Sequence, residues 1–173
     1  MKKVLMTALV TVIIIQLAVP AFFVSQKYDI LRNGTEYKFE VDLYDPYDAF
    51  RGRYLAIYPV AQRRIYDTSK TIEGSYGILG VDEEGFAYIT EVVKTKPDGE
   101  YIRSKSSRYF ELPIERYYTD EELAPELERF FTFGPASRSR KEYPPYVIVR
   151  VKNGKAVIQG MYIDGIRIED FKP

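Results

Sequence analysis

The chain has 173 residues, enough for one domain with a hydrophobic core, and its 25 Lys and Arg side chains balance 25 Asp and Glu side chains. This balance excludes the basic footprint with which nucleic-acid-binding proteins grip phosphate backbones. The sequence has no Cys and no His, which excludes disulfides, thiol catalysis, Ser-His-Asp triads, and zinc, haem or iron–sulfur sites built from those ligands.

The first predicted element is an apolar segment over residues 4–24, preceded by Lys2 and Lys3. About 20 apolar residues form a helix that crosses a bilayer, and positive charges favour the cytoplasmic end. We therefore predict a single-pass anchor over residues 1–26 and one extracytoplasmic, β-rich domain over residues 27–173 at the cell membrane. A signal peptide cleaved near Val19-Pro20-Ala21 is the alternative, although the apolar run continues to Val24, where a polar cleavage region should begin.

Two strands flank the central connection of the chain. Residues 26–35 are predicted to form a short linker with a turn at Asn33-Gly34. Residues 36–43 alternate between apolar and polar side chains, which predicts a half-buried strand, and residues 54–58 are rich in strand-forming side chains. The connection between these strands carries our candidate binding residues: Asp45, Pro46, Asp48, Arg51, Gly52, Arg53 and Tyr54.

The carboxylates of this connection have two interpretations. Asp42, Asp45 and Asp48 recur at three-residue spacing, and carboxylates at intervals can wrap a hard cation. The connection has no closing Glu, however, and Arg51 and Arg53 lie close by. We therefore interpret the carboxylates as turn caps and as partners of these guanidinium groups, and we expect no metal site and no cofactor.

Three stretches resemble the GDYXXLXY family of small bacterial membrane-anchored proteins, a group without an assigned activity. DPYDAFRGRY at 45–54 is similar to the family signature, DP-x-D-x-x-RGDY before a strand. RYYTDEELAPELE at 116–128 and YVIVRVKNGKAVIQGMYIDG at 146–165 are similar to its helix start and closing hairpin. The signature departs at Arg53, Ile57 and Pro59, which replace Asp, Leu and Tyr. The resemblance implies a membrane location and a polytopic membrane-protein partner, and no reaction.

The remaining elements are short and separated by turns. Residues 61–75 form either a short helix or an irregular crossover. Strands are predicted at 76–81, 86–95 and 100–103, with a hairpin at Pro97-Asp98-Gly99 between the last two. A helix is predicted from Thr119, where Glu122 completes a capping box, to Gly134-Pro135. Strands at 146–151 and 156–163 form a hairpin around Asn153-Gly154, and Asp164-Gly165 turns the chain into a strand at 166–168.

These elements predict a mainly β fold class with a minor α component. The predicted architecture is an N-terminal transmembrane helix followed by one antiparallel domain, barrel-like or sandwich-like, with one short helix packed against it.

The function that these residues favour is a non-catalytic interaction or accessory domain of the bacterial envelope. An envelope hydrolase of the signal-peptidase-like or carboxylate type is the alternative. Its candidate groups are Ser69-Lys70, Ser104-Lys105-Ser106, and the pair Glu111 and Glu115. Both Ser-Lys stretches lie in polar sequence, where a solvated Lys is a poor general base.

Overall fold

The computed structural model describes residues 2–44, 54–66, 75–118 and 144–170. Two α-helices, nine strands and a final 3-10 turn form this part of the chain, which confirms the mainly β fold class. The elements are α1 Lys2–Asn33, β1 Thr35–Tyr44, β2 Tyr54–Pro59, α2 Val60–Tyr66, β3 Tyr76–Val81, β4 Ala87–Val93, β5 Tyr101–Arg103, β6 Arg116–Tyr118, β7 Tyr146–Lys152, β8 Lys155–Ile163, β9 Ile166–Arg167 and the 3-10 turn Ile168–Asp170.

The larger sheet has six antiparallel strands in the order β6-β2-β1-β7-β8-β9. Its inner face follows from the alternation of β1 and β7, because successive strand side chains point to opposite faces. Tyr37, Phe39 and Val41 of β1 are buried, and so are Val147 and Val149 of β7. The hydrophobic pattern read from the sequence therefore sets the face that covers the core.

The smaller sheet has the order β4-β3-β5 and shares this core. Two isolated parallel bridges join it to the larger sheet, one between Lys38 and Phe86 and one between Ile102 and Gly154. Because the bridges lie at both edges of the smaller sheet, the strands curl into a barrel-like domain around Phe39, Ile102 and the other buried side chains.

The two predicted tight turns beside β8 are confirmed. Asn153 and Gly154 have φ values of 51° and 76°, and Asp164 and Gly165 have values of 49° and 77°. Two successive residues with positive φ define the hairpin turn that matches the twist of the flanking strands, and Asn-Gly and Asp-Gly favour it.

The predicted hairpin between β4 and β5 is wrong. Both strands pair antiparallel with β3, on its opposite edges, so the chain crosses from one edge of the small sheet to the other. Turn residues at Pro97-Asp98-Gly99 bend the chain locally but do not choose the partner strand. Burial determines the partner strand, because Ile102 is fully buried where β5 lies beside β3.

The predicted linker over residues 26–35 is also wrong, because α1 continues without interruption to Asn33. Ile30 is only 6% exposed and packs against the domain, which stabilises helix where the sequence is polar. Gly34 ends the helix, and its N–H donates to Ile30 O at 2.8 Å. Asn33-Gly34 is therefore a helix terminus instead of a turn within a linker. The apolar part of α1 is long enough and hydrophobic enough to span a membrane.

Helix α2 gives the first half of the stretch that the sequence left open, and its Ala61 and Ile65 are buried. Residues 67–74 lie outside the described residues, and so does the helix predicted from Thr119 to Gly134-Pro135.

Candidate functional site

The predicted central connection closes a hairpin of the larger sheet. Strands β1 and β2 pair from Tyr44 opposite Ala56 to Val41 opposite Pro59, so the connection between them joins two neighbouring strands. Tyr54 begins β2, as predicted, and is half-buried. The other predicted site residues lie outside the described residues and remain predictions: Asp45, Pro46, Asp48, Arg51, Gly52 and Arg53.

Tyr54 lies opposite Tyr118 in the pairing of β2 with β6. The two rings are tilted by 56° with their centroids 6.0 Å apart, within the range of favourable aromatic pairs. Tyr118 is 65% exposed. The end of the stretch at 45–54 and the start of the stretch at 116–128, far apart in sequence, therefore meet side by side in the fold.

Arg116 adds a positive charge to this pair. Its guanidinium carbon lies 4.8 Å from the centroid of the Tyr54 ring, a cation–π distance. A hydrogen bond with Tyr118 raises the pKa of Arg116, and the nearby Tyr54 adds to the shift. We call Tyr54, Arg116 and Tyr118 the tyrosine–arginine cluster. Only Tyr54 is among the predicted site residues. Arg116 and Tyr118 lie in the stretch at 116–128 that resembles the family, and the β2–β6 register places them beside Tyr54.

The other end of the connection carries an ionic cluster. Asp42 forms an ion pair with Arg63 of α2, a partner that sequence analysis did not name. Burial raises the pKa of Glu40, and the neighbouring Asp42 raises it further, while Arg64 and Arg63 lower it. These contacts fix α2 against β1 where the connection leaves the sheet.

The serine and lysine of the hydrolytic alternative have separate partners where the structure describes them. The Ser104 hydroxyl donates to Ser106 O at 2.8 Å and accepts the Glu111 N–H at 3.0 Å. Lys105 donates to the Glu115 carboxylate. These contacts organise the loop between β5 and β6 and leave Lys105 paired with a carboxylate instead of the hydroxyl that it would have to activate. Ser69-Lys70 lies outside the described residues.

In the described ranges, no group of three or more Asp and Glu side chains lies close enough together to hold a metal ion, and Asp45 and Asp48 lie outside these ranges.

Comparison with known proteins gives a family. The family model described as GDYXXLXY protein matches residues 16–161, which is most of the chain. No curated protein and no solved structure matches the chain.

Proposed function

The chain belongs to the GDYXXLXY protein family, and from this premise we propose that it is a membrane-anchored, extracytoplasmic interaction domain of the bacterial envelope. In this proposal α1 crosses the membrane once, and the β domain presents the tyrosine–arginine cluster and the central connection to a second membrane protein. The role is binding and does not include catalysis.

The observation that carries the proposal is the exposed apolar surface of α1. Side chains such as Ile14, Leu17 and Phe22 are 60–69% exposed, and none of the most apolar 18-residue window is buried by the rest of the protein. The domain contacts α1 beyond this window, at Gln26, Asp29 and Ile30. A continuous apolar surface of this size needs a cover, and a bilayer matches its length.

The two lysines at the start of the chain support the orientation that we propose. Lys2 and Lys3 precede the apolar segment, and positive residues at one end of a span favour the cytoplasmic side. The β domain then lies on the opposite side of the membrane.

The composition of the tyrosine–arginine cluster supports a binding role. Tyr and Arg are enriched at protein interfaces, since each combines a large contact surface with a polar end. Tyr118 and Arg116 are exposed at the edge of the larger sheet, beside Tyr54. An anchored partner is favoured because both proteins are then confined to one membrane surface.

A photo-crosslinking experiment in intact cells tests this function. A photoreactive amino acid replaces Tyr118, and a control protein carries it at Ile166, which is 46% exposed in β9 at the opposite edge of the same sheet. We expect a discrete adduct with another membrane protein at position 118 and none at position 166. Arg116→Glu and Arg53→Glu should each weaken the adduct.

Equal adducts at both positions, or no adduct at position 118, would overturn the proposed binding role. Thermal unfolding of each variant checks that the domain is folded. Substitutions at exposed positions such as Tyr118, Arg116 and Ile166 usually change the free energy of unfolding by no more than about 0.5 kcal/mol.

A further inference from the structure

We propose that the tip of the β7–β8 hairpin binds the headgroups of anionic phospholipids in the membrane that α1 crosses. The proposal rests on the proposed function, because it needs the bilayer to surround residues 4–24. The surface, called the hairpin tip below, consists of Lys27, Arg103, Lys152, Asn153, Gly154 and Lys155.

The hairpin runs back along α1 toward the apolar segment. Gly34 lies against the backbone of Val151, where an added Cβ would meet Val151 O at 3.0 Å. Lys152 Nζ donates to the Asp29 carboxylate at 2.7 Å, and Lys155 Nζ donates to Gln26 Oε1 at 2.6 Å. Toward the turn of the hairpin, the contacted residue of α1 therefore changes from Gly34 to Asp29 and then to Gln26, in the direction of the apolar segment.

These contacts bring the tip to the depth of lipid headgroups. With a rise of 1.5 Å per residue, Gln26 lies about 3 Å and Asp29 about 7.5 Å beyond Val24 along the helix axis. The headgroup layer extends roughly 5–8 Å beyond the hydrocarbon core on each side. Tyr28 lies at the same depth and is 63% exposed, as expected of an aromatic side chain at a membrane interface.

The tip is held at this depth by a packed junction and not by a flexible tether. Ile30 is buried against the domain, and Gly34 contacts the β7 backbone. Arg150 donates to Gly34 O at 3.2 Å and forms an ion pair with Glu36 at 2.6 Å. The domain therefore cannot swing far from the helix without breaking these contacts.

Positive charge dominates the tip. The Arg103 N–H donates to Gly154 O at 2.8 Å, which places the exposed Arg103 beside the turn. Lys27 and Lys155 are also exposed, and Lys152 is half-buried. Against these four cations stand the carboxylates of Asp29, which Lys152 binds, and of Glu100, which accepts the Thr35 hydroxyl at 3.2 Å. Basic residues near a membrane surface are attracted to anionic lipids, so the lipid phosphate is the occupant that depth and charge select.

The test uses the full-length protein in nanodiscs that contain phosphatidylcholine and phosphatidylglycerol. A trace of phosphatidylglycerol with a photoreactive headgroup is crosslinked, and the modified residues are mapped by mass spectrometry. We expect crosslinks at the hairpin tip, fewer crosslinks from a photoreactive phosphatidylcholine, and a loss in high salt, which screens exposed charges.

A double charge reversal identifies the residues responsible. Arg103→Glu with Lys155→Glu should reduce the tip crosslinks by at least roughly threefold, since each basic residue adds to the attraction. Arg64→Glu is the matched control. Arg64 lies in α2, which contacts Asp42, about 23 Å along β1 from Thr35. Arg64→Glu should therefore leave the crosslinks at the hairpin tip unchanged.

Three outcomes would overturn the inference: crosslinks spread equally over the tip and α2, equal labelling by both lipids, or tip crosslinks unchanged by the double reversal. The map of the unmodified protein needs no variant, so it decides the question even if the double variant fails to fold. Extraction by alkaline carbonate separates this inference from the proposed function. A protein that is extracted lacks the anchor and refutes both, whereas an inserted protein without tip crosslinks refutes the lipid site alone.

Discussion

Lys152 donates to both carboxylate oxygens of Asp29, at 2.8 and 2.7 Å, and so joins β7 to α1 across 123 positions of sequence. This pair lies beside the junction that fixes the β domain to the end of the apolar helix. We expect a single reversal, Asp29→Lys, to place two ammonium groups together and loosen the last turn of α1.

Hydrogen exchange of the amides at 28–34 measures this loosening in nanodiscs. Asp29→Lys should speed the exchange, and the swap Asp29→Lys with Lys152→Asp should restore protection because it restores the pair. Unchanged exchange in the single variant would show that the junction does not depend on the pair.

Gly34→Ala should destabilise the same junction through packing. The new Cβ would lie 2.5 Å from Ile30 O and 3.0 Å from Val151 O, and both are backbone atoms that cannot rotate away. Overpacking of this kind costs about 1–3 kcal/mol in the free energy of unfolding, measured by chemical denaturation. Gly160→Ala is the control, because its Cβ would meet the Tyr162 ring at 3.0 Å, and a side chain can shift. An equal loss in both variants would contradict the explanation.

Gln62→Leu should destabilise the core although it makes α2 more apolar. Gln62 is 3% exposed, its Nε2 donates to Phe110 O at 3.1 Å, and its Oε1 accepts the Leu112 N–H at 2.7 Å. Leucine would leave both backbone groups buried without partners, at a cost of roughly 1–3 kcal/mol. Arg64→Leu, at an exposed position of the same helix, should change the free energy of unfolding much less. A neutral Gln62→Leu would mean that water or other groups satisfy the two backbone atoms.

Tyr117 gives the domain a pH dependence in alkali. Burial raises the pKa of Tyr117 to about 12, and its hydrogen bond to Glu169 adds to the shift. Because the pKa of Tyr117 is higher in the folded state, the unfolded chain loses the Tyr117 hydroxyl proton at a lower pH than the folded protein does. This contribution to stability is therefore complete below pH 10 and decreases as the pH rises from about 10 to 12.

Thermal unfolding from pH 8 to pH 12 measures this effect. Tyr117→Phe removes the hydroxyl hydrogen bond to Glu169, so it should lower the Tm at every pH below 10. As the pH rises above 10, the Tm of this variant should fall less than that of the unmodified protein. Tyr109→Phe, at an exposed position, should keep the full alkaline decrease. Parallel curves for the two variants would show that Tyr117 does not cause it.

The sequence predicted the elements whose signals are local. The alternation of β1 and β7, and the Asn153-Gly154 and Asp164-Gly165 turns, gave strands and hairpins close to those observed, because side-chain period and positive φ depend on neighbouring residues. The family resemblance was carried by three such local stretches, and the family is confirmed.

Long-range contacts decided what the sequence could not predict. Residues 26–33 are polar and gave no helical pattern, yet Ile30 and Asp29 bind the domain and keep them helical. Burial of Ile102 selected β3 as the partner of β5. Arg116 and Tyr118 lie in the stretch at 116–128 that resembles the family, but only the β2–β6 register places them beside Tyr54, so the sequence did not predict the tyrosine–arginine cluster.

The membrane topology is the central claim, and the absence of cysteine from the chain makes it directly measurable. One cysteine is introduced at Ser107, exposed in the β domain, and in a second protein at Lys3, before the apolar segment. A membrane-impermeant thiol reagent is then added to spheroplasts before and after permeabilisation. We predict that position 107 is labelled in intact spheroplasts and that position 3 is labelled only after permeabilisation. The reverse pattern, or labelling of both positions only after permeabilisation, would contradict an anchored domain on the outer side of the membrane.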